Sequence, residues 1–326
     1  MIRVACILPL HKDDYLVNTV LDGLSELRSL GKVSFFVSSS LYVHESILES
    51  DRRDEDQFIK DAREADIIFF FWGKGNTDRE MADRVNSWKK TVYINGSEVG
   101  HNRRYDTKLQ QDILNFSFKG NGGIEYEYLK KCAGYFRREK PYLHGVDAFP
   151  FGIERRYVAW KEGGVKDIDF TCIFGQEEYP PLRQYAREAL QEYCRQFGFT
   201  CHTEKTKSRA EFYALLARTK VGISVGGGGY DTARFWEILG NNCLLLTETV
   251  DLFPKKSKDL VYSRIHEFGN LYDFAELLPV IGEKLKTNYN GLELTSEYDT
   301  IMQKHSTRAR VEGLLTLCRE RGIIHE

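Results

Sequence analysis

Residues 226–248 read GGGGYDTARFWEILGNNCLLLTE: four glycines, a helix start, and then an apolar run that is typical of a buried strand. A Walker A loop requires Gly-Lys-Ser/Thr at the start of its helix, whereas Tyr230, Asp231 and Thr232 follow the glycines here. A dinucleotide-binding fingerprint requires glycine at its sixth position, which counted from Gly226 is Asp231. Neither standard nucleotide-binding motif therefore accounts for this stretch.

The residue types of the stretch still point to a nucleotide. Glycines let the backbone approach a ligand closely and adopt positive φ. Asp231 is the predicted N-cap of the helix, whose free N–H groups and positive end suit an anion. Arg234 and Glu237 share one helix face, where Arg suits a phosphate and Glu can accept hydrogen bonds from a ribose diol. The alternative is a surface ion pair between these two residues beside a flexible turn, and spacing alone leaves both open.

The first half of the chain alternates strand and helix patterns. Apolar, strand-like runs lie at 2–8, 33–37, 66–73 and 91–95, and helical patterns at 14–29, 54–64, 76–88 and 125–139. Continuous apolar strands separated by helices predict a parallel sheet covered on both faces. The Pro- and Gly-containing segment 144–158 then predicts a passage from one domain to another.

A second alternating series follows this passage. Its predicted strands are 167–175, 200–204, 220–225 and 243–248, and its predicted helices are 181–197, 208–219, a helix from Asp231, 271–285 and 307–322. Two successive doubly wound domains imply a cleft between them, and open α/β sheets bind ligands at the carboxyl ends of their strands. The glycine run follows the strand 220–225, so it is predicted to lie in a ligand position.

Composition excludes several classes of protein. The chain has 326 residues, 42% hydrophobic and 29% charged, and a net charge of -2, which gives no general reason to expect a polyanionic partner. Its seven cysteines are dispersed without metal-binding spacing, which predicts reduced thiols in the cytoplasm and no metal site. The amino terminus has no secretory-signal pattern and no apolar run is long enough for a membrane span. We expect a soluble cytoplasmic protein.

Three segments resemble one group of glycosyltransferases. Residues 231–248 (DTARFWEILGNNCLLLTE) resemble the donor-binding segment of GT-B enzymes, specifically the spore-maturation (CgeB-type) glycosyltransferase-like group and its exostosin-like relatives. Residues 132–153 (CAGYFRREKPYLHGVDAFPFGI) resemble the crossover region of that group. Residues 305–315 (HSTRARVEGLL) resemble its C-terminal helix.

The resemblance implies an α/β fold of the GT-B type, with two Rossmann-like doubly wound domains around an interdomain cleft. Residues 1–155 would form the acceptor-side domain and 156–290 the nucleotide-sugar domain, with C-terminal helices in 291–326 packing back on the first domain. It also implies a nucleotide-diphosphate sugar as the donor substrate, with no cofactor and no required metal.

The resemblance assigns roles to residues in the cleft. Glu237 would hold the ribose and Arg234 the diphosphate, which would also lie against the glycine run. The other donor-binding candidates are Gly175, Gln176, Arg183, Gly226, Gly227, Gly228, Gly229, Tyr230, Asp231 and Thr232. In a metal-free mechanism, Arg side chains and a helix N-terminus would meet the diphosphate charge.

Two positions depart from the family pattern. Retaining GT-B enzymes have a glutamate eight residues before the ribose-binding one, and this chain has Gly229 there. The acidic contact to the sugar would then come from elsewhere, with Asp231 as a candidate. The turn after the helix has Asn242 where glycine is usual, and Asn tolerates the left-handed region.

An inverting mechanism would also need a general base that faces the cleft. His11, Glu98 and His101 follow predicted strands of the first domain, at the expected carboxyl ends. His305 is more typical of a helix cap or a core position.

Three functions are compatible with these observations. The leading hypothesis is a glycosyltransferase that acts on a surface polysaccharide or glycoconjugate. A second is a phage-type glycosyltransferase acting on hydroxylated DNA bases, which the basic cluster HNRRYDTK at 101–108 would suit. The third is a GT-B-shaped nucleotide-binding or structural protein without turnover.

Overall fold

The structure is a computed structural model. It describes residues 1–9, 14–38, 42–71, 77–98, 124–139, 141, 143–176, 180–250, 252–254, 258–287, 289 and 291–325, without the side chains of 291–293. The predicted candidates His11 and His101 lie outside the described residues.

The first half of the chain forms one parallel sheet with helices against it. Its strands are β1 (Ile2–Ile7), β2 (Val33–Val37), β3 (Ile67–Phe71), β4 (Thr91–Asn95), β5 (Gly134–Arg137) and β6 (Asp147–Ala148). They lie in the order β2-β1-β3-β4-β5-β6, and every neighbouring pair is parallel. The described helices of this half are α1 (Tyr15–Ser29), α2 (Glu55–Glu64), α3 (Thr77–Val85) and α4 (Tyr126–Lys131).

One prediction in this half was wrong. The helix expected over 125–139 ends at Lys131, and β5 follows it and pairs with β4. The reason is long-range burial: Tyr135 packs on the Tyr93 ring at 5.2 Å, while Phe136, on the opposite face of the strand, meets Phe149 at 6.3 Å. Burial of aromatic side chains on two faces outweighs a local helical pattern.

The second half forms another parallel sheet. Its strands are β7 (Ile168–Thr171), β8 (Cys201–His202), β9 (Thr219–Ser224), β10 (Leu244–Glu248) and β11 (Ile265–Phe268), in the order β11-β10-β9-β7-β8. Its helices are α5 (Pro181–Phe197), α6 (Arg209–Ala217), α7 (Ala233–Gly240) and α8 (Leu271–Thr287). The short strands β6 and β11 had no counterpart in the sequence prediction.

Both sheets are wound in the same way. In each, the first strand lies between the second and the third, so the direction of winding reverses beside the first strand. Ligands of open α/β sheets bind outside the carboxyl ends of the strands at such a switch point. In the second sheet this point lies between β7 and β9, and the glycine run 226–229 directly follows β9.

A continuous core joins the two sheets. Val4 on β1, Phe151 and Ile153 on the connecting segment, Trp236 on α7 and Leu245 on β10 belong to one cluster of buried side chains. The inner strands β1, β3, β4, β9 and β10 are buried on both faces, as their continuous apolar sequences predict. The two halves therefore share apolar burial as well as polar contacts.

The last two helices are α9 (Gly291–His305) and α10 (Thr307–Glu320). Ser306 separates them and caps α10 by accepting a hydrogen bond from the Ala309 N–H. Helix α10 lies on α1, where the Thr307 hydroxyl donates to Asp22 Oδ2 at 2.7 Å. Within the described residues, no helix has the length and apolar composition needed to cross a bilayer.

The contact of α1 with α10 generates a prediction about Gly23. A Cβ at Gly23 would overlap the Thr307 carbonyl oxygen and lie 2.6 Å from Val311 Cγ2. We expect Gly23→Ala to lower the free energy of unfolding by about 1–3 kcal/mol because the packed helices must separate. Urea denaturation measures this change.

The matched control for that variant is Gly313→Ala in α10, where an added Cβ meets nothing within 4 Å. It should leave stability unchanged or raise it by up to about 1 kcal/mol through helix propensity. Equal effects of the two substitutions would contradict the packing of α1 on α10.

Candidate functional site

The glycine run is glycine because it is crowded. None of its four residues has positive φ, so these positions do not need the backbone conformations that only glycine adopts easily. At three of them an added Cβ would meet a side chain: Arg183 at Gly227, Glu98 at Gly228 and Glu139 at Gly229. Two of these side chains come from the first half of the chain, so the run lies against the carboxyl edge of the first sheet.

The backbone of the run is partly engaged. The Gly226 N–H donates to Glu248 Oε2 at 2.9 Å, and the Gly227 N–H donates to the Gly229 carbonyl at 2.9 Å. Glu248 is the last residue of β10 and is buried. These two amides are therefore already satisfied within the protein.

Arg183 is a buried guanidinium beside the run. Its Nε and Nη2 donate to the Val225 carbonyl at 3.3 and 3.1 Å, and its Nη1 donates to the Gln176 carbonyl at 3.0 Å. Burial, together with the positive charge of Arg234, lowers its pKa to about 10. Among the described residues no carboxylate lies within ion-pairing distance of it. Such an environment favours binding of an anion.

Arg234 and Glu237 form an ion pair on α7, with 2.9 Å between Arg234 Nη1 and Glu237 Oε2. The side chains are only 17% and 9% exposed, so this is not the surface pair that the sequence left open. The Arg234 guanidinium lies 3.7 Å from the centre of the Phe212 ring, and the Tyr213 hydroxyl donates to Glu237 Oε1 at 3.2 Å. Burial and the Glu237 charge raise the pKa of Tyr213.

The N-cap of α7 is Thr232, so the prediction of Asp231 was wrong. Thr232 Oγ1 accepts from the Phe235 N–H at 3.4 Å. Asp231 is instead 1% exposed, and its carboxylate accepts from the Phe151 N–H and the Trp236 Nε1–H, both at 2.8 Å. Burial raises the pKa of Asp231 to about 7, although Arg138 opposes the shift. The Asp231 carboxylate thus links the connecting segment to α7.

A buried Arg-Glu pair follows β5 and holds the backbone of Asp231. The Asp231 N–H donates to Glu139 Oε1 at 3.0 Å, and Arg138 Nη2 donates to the Asp231 carbonyl at 2.9 Å. The two side chains also contact each other, with 3.1 Å between Arg138 Nη2 and Glu139 Oε1. We call this arrangement the Arg138–Glu139 clamp.

Of the three candidates for a general base, Glu98 is described. It follows β4, its side chain is 46% exposed, and its Oε1 lies 3.6 Å from Arg138 Nη2. Its other oxygen lies against Gly228. Glu98 is thus a partly solvent-accessible carboxylate at the carboxyl edge of the first sheet, facing the glycine run.

The remaining donor-binding candidates follow strands β7 and β9 of the second sheet. Gly175 and Gln176 are exposed just after β7, and an added Cβ at Gly175 meets nothing within 4 Å. Tyr230 is half-buried at the end of the run. Asn242 has a φ of 55°, so the turn after α7 does use the left-handed region.

One further cavity lies far from the glycine run. A cavity of about 710 Å³ lies at the amino edge of the first sheet, beside Trp88 and Lys90. Lys90 is already bonded there to the carbonyls of Arg63 and Ala65. Within the described residues, no three His, Cys, Asp or Glu side chains converge as metal ligands would.

Sequence reasoning missed Arg138, Glu139 and Glu248. The two clamp residues fell inside a predicted helix, which hid their position after a strand. Glu248 ends the predicted strand 243–248, so its place at the carboxyl edge was a usable signal.

The buried carboxylate of Asp231 generates a prediction. Asp231→Asn directs an amide NH2 at one of two N–H donors, so we expect a loss of about 1–3 kcal/mol in the free energy of unfolding. Because the folded pKa of Asp231 is raised to about 7, its contribution to stability is full below about pH 4 and is lost as the pH rises to 7.

The Asn side chain does not titrate, so the stability difference between wild type and variant should be larger at pH 5 than at pH 8. Urea denaturation at both pH values measures it. A difference that stays constant or grows with pH would contradict a raised pKa for Asp231.

No protein-family model and no curated protein matches the chain. Solved structures match it over almost its whole length. A glycosyltransferase from Rickettsia africae ESF-5 aligns with a TM-score of 0.63 at 8% identity, covering 98% of each chain.

Two further similar structures contain bound molecules. HepE of Anabaena, solved with UDP and glucose, aligns with a TM-score of 0.58 at 8% identity, covering 98% of this chain and 100% of that one. An α-glucosyltransferase, solved with UDP and DNA containing an HMU base, aligns with a TM-score of 0.58 at 10% identity, covering 98% and 99%. The chain therefore has the two-sheet α/β fold of the GT-B glycosyltransferase structures, as its sequence predicted.

Proposed function

We propose that this protein is a glycosyltransferase that moves a sugar from a nucleotide-diphosphate sugar to a hydroxyl acceptor. One observation carries the proposal: the buried Arg234–Glu237 pair lies near a second buried guanidinium, Arg183, at the switch point of the second sheet. Cationic groups for phosphate and a carboxylate for ribose together suit a nucleotide. The UDP in structures of the same fold supports this interpretation.

The donor side is assigned as follows. Arg183 and Arg234 bind the diphosphate. Arg183 donates only to neutral backbone carbonyls and Arg234 is paired with one carboxylate, so positive charge is available for the phosphates. Glu237 accepts a ribose hydroxyl, while Tyr213 orients its carboxylate. The surrounding wall is formed by Gly175, Gln176, Gly226, Gly227, Gly228, Gly229, Tyr230 and Thr232. As the glycosidic bond breaks, negative charge grows on the leaving diphosphate, and the two guanidinium groups stabilise it without a metal.

Glu98 is the proposed general base among the described residues. It takes the proton of the acceptor hydroxyl while the hydroxyl oxygen bonds to the anomeric carbon and the bond from that carbon to the phosphate oxygen breaks. Its partial exposure leaves it accessible to an acceptor, in contrast to the buried Asp231. His11 and His101 stay predicted alternatives for this role.

We assign residues 1–155 to the acceptor side, 156–290 to the donor side and 291–326 to the helices that return to the first domain. The acceptor we propose is a surface polysaccharide or glycoconjugate, modified in the cytoplasm. Membership of the CgeB-type subgroup belongs to the same proposal and rests on the three segments that resemble it.

A second candidate acceptor is DNA. The α-glucosyltransferase solved with DNA and UDP favours it, whereas the net charge of -2 opposes it. Salt-dependent binding of duplex DNA carrying hydroxymethylated bases would distinguish this acceptor from a glycan. The third alternative, a nucleotide-binding protein without turnover, would bind nucleotide but would not cleave UDP-glucose, whether or not an acceptor is present.

The first functional prediction concerns Glu237. We expect Glu237→Ala to weaken UDP binding about tenfold or more, because the ribose loses its acceptor and Arg234 loses its partner. Isothermal titration calorimetry with UDP measures the affinity, and circular dichroism confirms the fold. The matched control is Glu192→Ala, which removes an exposed glutamate paired with Arg195 three residues away.

Glu192→Ala should leave UDP affinity unchanged. Unchanged affinity in Glu237→Ala would remove the proposed ribose contact. A wild-type protein that binds neither UDP nor any other nucleotide or nucleotide sugar would refute the proposed function as a whole.

The second functional prediction concerns Glu98. Glu98→Gln keeps the shape of the side chain but cannot accept the hydroxyl proton, so we expect kcat to fall about 10²- to 10⁴-fold. UDP affinity should change little, because Glu98 lies on the acceptor side. Glu49→Gln, at a 95% exposed side chain of the same half, is the control for kcat. A normal kcat in Glu98→Gln would exclude Glu98 as the base.

A further inference from the structure

We infer that Glu139 is a positioning residue of the donor site, and that its carboxylate stands where the side chain of residue 229 would be. The inference rests on the proposed function, because the site that Glu139 positions is the donor site. It assigns a role to a residue of the first half that no donor-binding motif includes.

Glu139 and Gly229 exclude each other's side chains. A Cβ at Gly229 would overlap Glu139 Oε1 and lie 3.0 Å from its carboxyl carbon and 2.6 Å from Arg138 Nη2. Glu139 is fully buried, so its carboxylate has no solvent-filled space into which to retreat. Position 229 must therefore be glycine while Glu139 is present, because the Glu139 carboxylate occupies the space that a side chain at 229 would fill.

The Arg138–Glu139 clamp holds the backbone of Asp231 at two points, through the peptide groups on either side of its Cα. Glu139 accepts the N–H of Asp231 and Arg138 donates to its carbonyl, at 3.0 and 2.9 Å. The next residue, Thr232, is the N-cap of α7. Because Arg234 and Glu237 lie on the first turns of that helix, the clamp sets their direction relative to the first sheet.

The charge of Glu139 also suits its position. Helix α7 has no acidic residue in its first turn, and the Asp231 carboxylate before its N-cap is bonded to the Trp236 indole and the Phe151 N–H. Glu139 places a carboxylate beside the positive end of this helix, which is favourable for the helix dipole. Since this carboxylate occupies the Asp231 amide, the donor diphosphate depends on Arg183 and Arg234 rather than on that amide.

A double-mutant cycle tests whether the Glu139 carboxylate and a side chain at position 229 occupy the same space. Gly229→Ala should lower the Tm more in wild type than in a Glu139→Ala background, where the overlap with the Glu139 carboxylate is gone and only the close approach to Arg138 Nη2 remains. Gly313→Ala, at an uncrowded helical position, should change the Tm equally in both backgrounds. Equal effects of Gly229→Ala in both backgrounds would overturn the inference, whatever the protein binds.

UDP affinity tests the positioning role. We expect Glu139→Ala to raise the Kd for UDP about tenfold, and Glu139→Gln, which can still accept from the Asp231 N–H, to raise it less. Gly229→Asp alone places two carboxylates together and should be the weakest binder. Combining Gly229→Asp with Glu139→Ala returns one carboxylate to the same place and should restore much of the affinity.

The outcomes separate the two claims. If wild type and Glu139→Ala bind UDP equally while the Tm falls, Glu139 is only structural and the inference fails, although the proposed function stands. A double variant that binds no better than Glu139→Ala would also overturn it. If wild type binds no nucleotide, the proposed function falls, and the donor-site role of Glu139 falls with it.

Discussion

The buried carboxylate of Asp231 is the contact on which the arrangement of the two halves depends. It is 1% exposed and accepts hydrogen bonds from Phe151 on the connecting segment and from Trp236 on α7. A buried carboxylate is tolerated only where donors surround it. The backbone of Asp231 is in turn held by the Arg138–Glu139 clamp. The first sheet, the connection and helix α7 must therefore all be in place before this carboxylate has its hydrogen-bond donors.

The C-terminal helix completes the same cluster. Arg310 lies 5.0 Å from the Trp236 ring, and donates to the Phe151 carbonyl at 3.3 Å and to His305 Nδ1 at 2.8 Å. Arginine can only donate, so Nδ1 accepts and the imidazole is neutral. Burial and the Arg310 charge lower the pKa of His305 to about 2, in agreement with that state. The segment 305–315, which the sequence singled out by resemblance, thus joins α7, the connecting segment and the C-terminal helices.

The sequence predicted the parts of the molecule that local patterns determine. Continuous apolar runs gave most strands of both sheets, and their order along the chain placed the glycine run at a carboxyl edge. Local patterns did not predict elements whose conformation depends on residues distant in sequence. Strand β5 depends on pairing with β4, and Glu139 meets Asp231 across 92 residues of sequence. Asp is a residue type that often caps helices. The Asp231 carboxylate, however, accepts hydrogen bonds from the Phe151 N–H and the Trp236 indole, and Thr232 is the N-cap instead.

Gly229 shows why a departure from a motif need not be a loss. An acid on residue 229 would belong to the second sheet and would be present wherever that sheet is folded. The acid supplied by Glu139 comes from the first sheet, so it reaches the start of α7 only when the two halves are in contact. Order at the proposed donor site is therefore coupled to contact between the halves, and the same contact brings Glu98 to the glycine run. Assembly of the proposed donor site and approach of the proposed base follow from one interface.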